Sequence, residues 1–319
     1  MVEYSTMPCD VFLLFDTLPY EFDEELPLTT GPNVYLEDTP IGVLDAVNPP
    51  SEADFVLPGY HLGLGANCCL RTPVVEIQQP GLGSTDLLFL SVSALRLRKP
   101  IVIKIAGGFE LGSEENLLKN TMLYNISSSY QPYSNERYSG EDIFLSKKIS
   151  ERLMYIVESN YSRIISAYVL FSQVTIGFSK SFQMAYLALF SALEALFIPH
   201  NGNKATKATS LAQRTANFLS NFDFPESLYD WLKNEYNQGR NKLAHGIQDI
   251  SPWTGLREGK KGSFGRLHEI TRLCILGFLS LDDMELESLS RLKRTQLQQK
   301  LDNLSPATGR FLEGQRMWF

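Results

Sequence analysis

Three kinds of side chain that can act together on a phosphodiester lie close to one another in the C-terminal half. Residues 236 to 246 read Tyr-Asn-Gln-Gly-Arg-Asn-Lys-Leu-Ala-His-Gly, which places Arg240, Asn241 and His245 within six positions. Histidine titrates near neutral pH and can accept or donate a proton. Arginine carries a permanent charge on a planar fork that matches phosphate oxygens, and asparagine can orient either group through hydrogen bonds. This set of residues suits cleavage of RNA without a metal ion.

Such cleavage requires three separate tasks. A base removes the proton from the ribose 2′-hydroxyl, an acid protonates the leaving 5′-oxygen, and a cation stabilises the charge that builds on the phosphorane oxygens. One histidine does not easily perform both proton transfers, whereas two copies of the motif facing each other can. The chemistry therefore predicts a homodimer with a composite active site.

A purely structural interpretation of the same segment is also open. Gly246 suits the left-handed position just past a helix end, and His245 suits the negative end of the helix dipole. Arg240 could pair with Glu194 or Glu235. On an ideal helix, residues five apart lie about 140° apart. Arg240 and His245 therefore share a face only if the helix loosens before Gly246.

A series of helices is predicted to position this segment. Apolar residues recur at helical spacing, and we expect helices over residues 141–158, 161–175, 182–197, 204–219 and 267–281, one opening at Asp223, and a charged one over 285–304. Residues 182–197 are apolar nearly all round, which is typical of a helix in the centre of a bundle. Glu194 is the one acid of that helix, so burial requires a basic or hydrogen-bonding partner for it. His268 neighbours an apolar face, and we expect it at the surface.

The first 110 residues have a different character. Apolar runs at residues 11–15, 34–36, 74–77, 87–90 and 101–105 are each bounded by turn-forming residues, which predicts strands. This part holds 15 acidic and 5 basic residues, whereas the remainder holds 21 acidic and 24 basic residues. That asymmetry favours a nucleic-acid contact in the second half. The glycines at 107, 108 and 112 mark the expected change from strand to helix.

The composition narrows the class of protein. No run reaches the roughly 18 apolar residues of a membrane span, and the first residues lack the features of a signal peptide. The four cysteines fit no zinc motif and are interpreted as free thiols in a reducing compartment. We therefore expect a cytoplasmic protein of the α+β class with no membrane contact, no metal and no cofactor.

The sequence of the second half resembles that of a known family. Arg240-Asn241-x-x-x-His245 is similar to the signature of the HEPN superfamily. The segments Phe-Ser-Ala-Leu-Glu-Ala-Leu-Phe at 190–197, Ser-Leu-Ala-Gln-Arg-Thr-Ala at 210–216 and Asn-Lys-Leu-Ala-His-Gly at 241–246 resemble its Apea-like branch in wording and order. The likeness covers roughly residues 150 to 282.

The resemblance implies an architecture and an activity. It implies a helical HEPN bundle at residues 150–282. The sequence pattern places a β-rich sensing or binding module (1–112) and a connecting segment (113–149) before the bundle, and a C-terminal helix and tail (283–319) after it. The resemblance also implies a dimeric, metal-independent endoribonuclease that leaves a 2′,3′-cyclic phosphate. Arg240 and His245 would be catalytic, and Asn241 would occupy the supporting polar position.

The expected roles extend beyond those three residues. Residues 255–266 are rich in glycine and are predicted to form a loop, the glycine-rich loop. We expect its basic residues Arg257, Lys260 and Lys261, together with Lys242, to contact the RNA backbone. Glu194 is predicted to support the site. Relatives in phage defence and toxin systems suggest that RNA cleavage arrests growth, with a phage or nucleotide trigger acting through the N-terminal module. The alternative is a non-catalytic HEPN module that dimerises while the N-terminal part binds a partner.

Overall fold

The structure is a computed structural model that describes residues 9–17, 26–38, 68–73, 83–100, 104–112, 118–122, 137–175, 182–199, 206–244 and 263–315. The chain divides into two compact units, one of residues 1–127 and 134–154 and the other of residues 128–133 and 155–319. The first contains a sheet and the second is helical in its described part, so the predicted α+β class is confirmed.

The first unit contains an antiparallel sheet. Its strands are β1 Cys9–Thr17, β2 Leu28–Gly31, β3 Val34–Asp38, β4 Cys68–Pro73, β5 Lys104–Gly112 and β6 Leu118–Met122. Their order in the sheet is β2-β3-β4-β1-β5-β6, with β1 hydrogen-bonded to β4 on one side and to β5 on the other. The predicted strands at residues 11–15 and 34–36 are confirmed. The run at 74–77 and residues 101–103 lie outside the described residues.

One predicted strand of this unit is wrong. Residues 87–90 belong to helix α1, Ser84–Arg98, and not to a strand. The run continues as Ser-Val-Ser-Ala-Leu-Arg-Leu-Arg without glycine or proline, so nothing ends a helix there. The Asp86 carboxylate accepts a hydrogen bond from the Gly83 backbone nitrogen at 2.9 Å, which caps the helix start. The sheet also continues through β6, so the change from strand to helix comes later than residue 112.

Helices follow from residue 140 onward. They are α2 Gly140–Glu158, α3 Ser162–Thr175, α4 Phe182–Phe197, α5 Lys207–Phe218, α6 Leu228–Glu235, a π-helical turn Tyr236–Arg240, α7 Asn241–Ala244, α8 Ser263–Ser280, α9 Asp283–Arg291 and α10 Arg294–Asp302. Helices α2, α3, α4, α5 and α8 confirm the predicted helices with small differences at their ends. None of the described helices is long and apolar enough to cross a membrane.

Two helix boundaries differ from the predictions. The helix expected to open at Asp223 begins at Leu228, because Ser227 provides the cap and its hydroxyl accepts from the Asp230 backbone nitrogen at 3.3 Å. The helix expected over 285–304 is interrupted at residues 292 and 293, whose backbones are extended. The break lets Leu289 and Leu297 both lie buried on successive helices.

The core of the second unit forms around α4. Phe197, Phe218 and Phe278 from α4, α5 and α8 form a triangle of rings with centroids 5.0 to 5.6 Å apart. Helix α4 is not enclosed on all sides, since Met184 near its start is 59% exposed. His268, expected at the surface, is 2% exposed and packs against Phe171, so that prediction is wrong.

Candidate functional site

The segment that carries Arg240 is not a regular α-helix. After α6, residues Tyr236–Arg240 form a π-helical turn in which the Asn241 backbone nitrogen bonds to the carbonyl of Tyr236, five residues earlier. Single π-helical turns inside α-helices occur frequently at functional sites. The helix therefore loosens before Arg240, and the α-helical geometry resumes at Asn241. The sequence interpretation required a loosening before Gly246, without fixing where it begins.

Glycine at position 239 allows the turn to approach α4 closely. A Cβ atom at Gly239 would collide with the hydroxyl of Tyr186, a residue of α4. That hydroxyl donates to the Glu235 carboxylate at 2.6 Å. The approach of Gly239 and the bond from Tyr186 fix the π-helical turn against the central helix.

Glu194 joins three donors at the other end of α4. Its Oε1 accepts from the Tyr236 hydroxyl at 2.7 Å and from Arg240 Nη2 at 3.1 Å, and its Oε2 pairs with Lys207 Nζ. The expectation that Glu194 needs a basic or hydrogen-bonding partner is therefore confirmed. We call Glu194, Lys207, Tyr236, Arg240 and Asn241 the Glu194 cluster.

The guanidinium of Arg240 is held from several sides. Nη1 donates to Asn241 Oδ1 at 3.3 Å, and the guanidinium carbon lies 5.2 Å from the centre of the Tyr236 ring. Nε is buried and has no hydrogen-bond partner in the described part of the chain. The side chain is nevertheless 23% exposed, so it is partly accessible to solvent.

The electrostatics of the cluster leave a positive surplus. Within the Glu194 cluster, Lys207 and Arg240 carry two positive charges against the single carboxylate of Glu194. The Glu235 carboxylate, which accepts from the neutral Tyr186 hydroxyl, is not a member of the cluster and keeps its own negative charge. Burial and the bond to Glu194 raise the pKa of Tyr236, and burial and the charge of Glu235 raise the pKa of Tyr186. Both phenols therefore stay protonated at neutral pH and remain hydrogen-bond donors.

The structure brings together only part of the predicted site. Arg240, Asn241 and Glu194 are in mutual contact through Arg240. The other predicted site residues lie outside the described residues, namely His245, Arg257, Lys260, Lys261 and the side chain of Lys242.

The sequence interpretation missed two members of the cluster, Lys207 and Tyr236. A signal for Lys207 existed, because the segment Pro-His-Asn-Gly-Asn at 199–203 predicts a turn that reverses the chain between two helices. Glu194 stands three residues before the end of the first helix and Lys207 is the first residue of the second. Antiparallel neighbours of this kind place such positions opposite each other.

Within the described residues, no group of three His, Cys, Asp or Glu side chains is arranged to hold a metal ion. Comparisons of the chain with protein-family models, with curated proteins and with solved structures gave no match. The resemblance to the HEPN superfamily therefore stays a prediction that rests on the residues quoted from the sequence.

Proposed function

We propose that the protein is a metal-independent endoribonuclease of the HEPN type, whose helical unit cleaves RNA by attack of the ribose 2′-hydroxyl. The observation that carries the proposal is the Arg240 guanidinium, which is oriented by Glu194, Tyr236 and Asn241 on a side chain that stays 23% exposed. A cation fixed in this way suits stabilisation of a phosphorane, since preorganised charge costs no rearrangement during the reaction.

The proposed division of labour follows from the side chains. Arg240 stabilises the phosphorane oxygens, Asn241 orients the guanidinium, and His245 transfers a proton. The second proton transfer falls to His245 of a second copy, so the proposed enzyme is a homodimer with a composite site. We further propose that it acts in the cytoplasm in phage defence or growth arrest, with the N-terminal unit sensing a phage component or a nucleotide.

The test of this proposal uses the full chain and a mixture of tRNA and mRNA in the presence of EDTA. The expected products carry a 2′,3′-cyclic phosphate on one fragment and a 5′-hydroxyl on the other. We expect His245→Ala to lower the cleavage rate about 10²-fold or more, because the proton transfer is lost. The matched control is His200→Ala, which removes a histidine from the sequence-predicted turn before α5.

Two results would reject the proposal. One is cleavage that stops when EDTA is added, because a metal would then be required. The other is an equal rate for His245→Ala and the wild-type protein.

A second candidate function is supported by a specific observation. Arg240 is bound within its own chain by Glu194 and covered on one side by Tyr236, as expected of a residue that stabilises the fold. On that basis the helical unit would be a non-catalytic dimerisation module, and the N-terminal unit would bind a ligand or partner. Absence of RNA cleavage, together with a dimer that withstands Arg240→Ala in sedimentation experiments, would favour this candidate.

A further inference from the structure

We infer that Lys207 is a second phosphate-binding cation, which holds the RNA backbone beside Arg240. This inference rests on the proposed function and assigns part of the substrate contact to α5. It names a residue outside the arginine–histidine motif and outside the glycine-rich loop.

The geometry places both cations around one anion. Lys207 Nζ pairs with Oε2 of Glu194, and Arg240 Nη2 lies 3.1 Å from Oε1 of the same carboxylate. The two cationic groups therefore contact the two oxygens of one carboxylate. Phosphate oxygens accept charge-assisted hydrogen bonds from the same donors as carboxylate oxygens do. A backbone phosphate that meets this pair can be contacted by both groups together.

The accessibility of the side chains favours an external partner. The side chains of Lys207 and Arg240 are 26% and 23% exposed, whereas that of Glu194 is 15% exposed. The two cationic side chains are therefore more accessible to solvent than the glutamate that joins them. The flexible four-carbon stem of lysine allows its ammonium group to turn from Glu194 toward an incoming phosphate.

The charge balance separates this cluster from other ion pairs of the second unit. Four arginine side chains on described helices are each paired with one carboxylate, namely Arg214 with Asp302, Arg266 with Glu226, Arg272 with Glu269 and Arg291 with Glu287. Glu194 instead receives two cations. One positive charge therefore remains at the cluster, and RNA phosphate can neutralise it.

The experiment measures binding and not turnover. The His245→Ala protein is titrated into a short, fluorescently labelled single-stranded RNA. Fluorescence anisotropy then gives the Kd at a series of salt concentrations. The slope of log K against log salt reports the number of phosphates neutralised, at about 0.7 per phosphate for single strands. We expect Lys207→Gln in this background to reduce the slope by about 0.7 and to weaken binding about tenfold at low salt.

Two further variants are matched to Lys207→Gln. Lys207→Arg keeps the charge, so we expect it to retain the slope. Lys300→Gln removes the same charge from α10, where no described contact joins Lys300 to the cluster. We expect its slope to equal that of the His245→Ala protein without a second substitution. Circular dichroism melting checks that each variant is folded.

The outcomes separate this inference from the proposed function. An unchanged slope for Lys207→Gln overturns the inference, and so does an equal loss for Lys300→Gln. If Lys207→Gln leaves the slope unchanged while His245→Ala abolishes the RNA cleavage of the wild-type protein, the proposed function stands and Lys207 is not an RNA contact. If the His245→Ala protein with Lys207 intact does not bind RNA at all, both the inference and the proposed function are rejected.

Discussion

Two glutamates of the helical unit each pair with an arginine, but they do so in opposite surroundings. Glu269 on α8 pairs with Arg272 at 3.0 Å and contacts His268 at 3.3 Å, and all three side chains are at most 2% exposed. Glu194 on α4 binds Lys207 and Arg240, whose side chains are about one quarter exposed. The same type of ion pair therefore occurs both in the core and near the surface.

The difference indicates what each cluster does. Arg272 is fully buried, and its donors are directed to the Glu269 carboxylate and, at 2.6 Å, to Gln315 Oε1. Removing one partner of an ion pair inside the core is costly, so the Glu269–Arg272 pair has a structural role. The Glu194 cluster has a surplus cation within reach of solvent, so a ligand can bind there without opening the core.

The largest expected effect on stability is in the buried group. Arg272→Ala should lower the free energy of unfolding by about 3–5 kcal/mol, because it leaves Glu269 as an uncompensated buried charge. Arg240→Ala should cost about 1 kcal/mol or less, because its pair with Glu194 is partly exposed. Urea denaturation of both variants measures the contrast. Equal losses would show that the two clusters have the same structural role.

A smaller effect is expected at Gly239. Gly239→Ala should cost roughly 1–3 kcal/mol, because the added Cβ collides with the Tyr186 hydroxyl. Tyr186→Phe removes that hydroxyl, so the double variant should be more stable than the sum of the two single effects predicts. Strictly additive losses in urea denaturation would mean that Tyr186 does not determine the glycine requirement.

The buried Glu269 carboxylate should also make the stability depend on pH. Burial alone would raise the pKa of Glu269, but Arg272 and the hydrogen bond with His268 outweigh it and lower the pKa below 4.5. The contribution is therefore fully present above about pH 4.5 and is lost as the pH falls through the lowered folded-state pKa. Between pH 5.5 and pH 3, the wild-type protein should lose more stability than Glu269→Gln. A steeper loss in the variant would contradict this assignment.

The smallest effect on stability is expected at Lys207. Lys207→Gln should change the free energy of unfolding by at most about 1 kcal/mol, because its pair with Glu194 is partly exposed. Thermal melting of this variant beside Lys300→Gln measures the difference. A loss several times larger would mean that Lys207 is mainly a structural residue.

Periodicity predicted the parts of the fold that depend on local sequence. The bounds of α4 were predicted to the residue because its apolar positions recur without interruption, and the lone acid on that helix predicted the need for partners at Glu194. Helix α1 was misinterpreted because four consecutive apolar residues suit either a strand or a buried helix.

The remaining features depend on contacts between distant parts of the chain. The π-helical turn follows from the close approach of Gly239 to Tyr186, which no local pattern contains. The burial of His268 likewise depends on Phe171, nearly a hundred residues earlier in the chain. The prediction for His245 remains a prediction.

The most direct test of the central claim is the RNA cleavage rate of Arg240→Ala in EDTA, measured beside its free energy of unfolding. The account predicts a folded protein whose cleavage rate falls about 10²–10³-fold, since the cation at the phosphorane is removed. A rate within about twofold of the wild type in a folded Arg240→Ala protein would show that the guanidinium takes no part in catalysis.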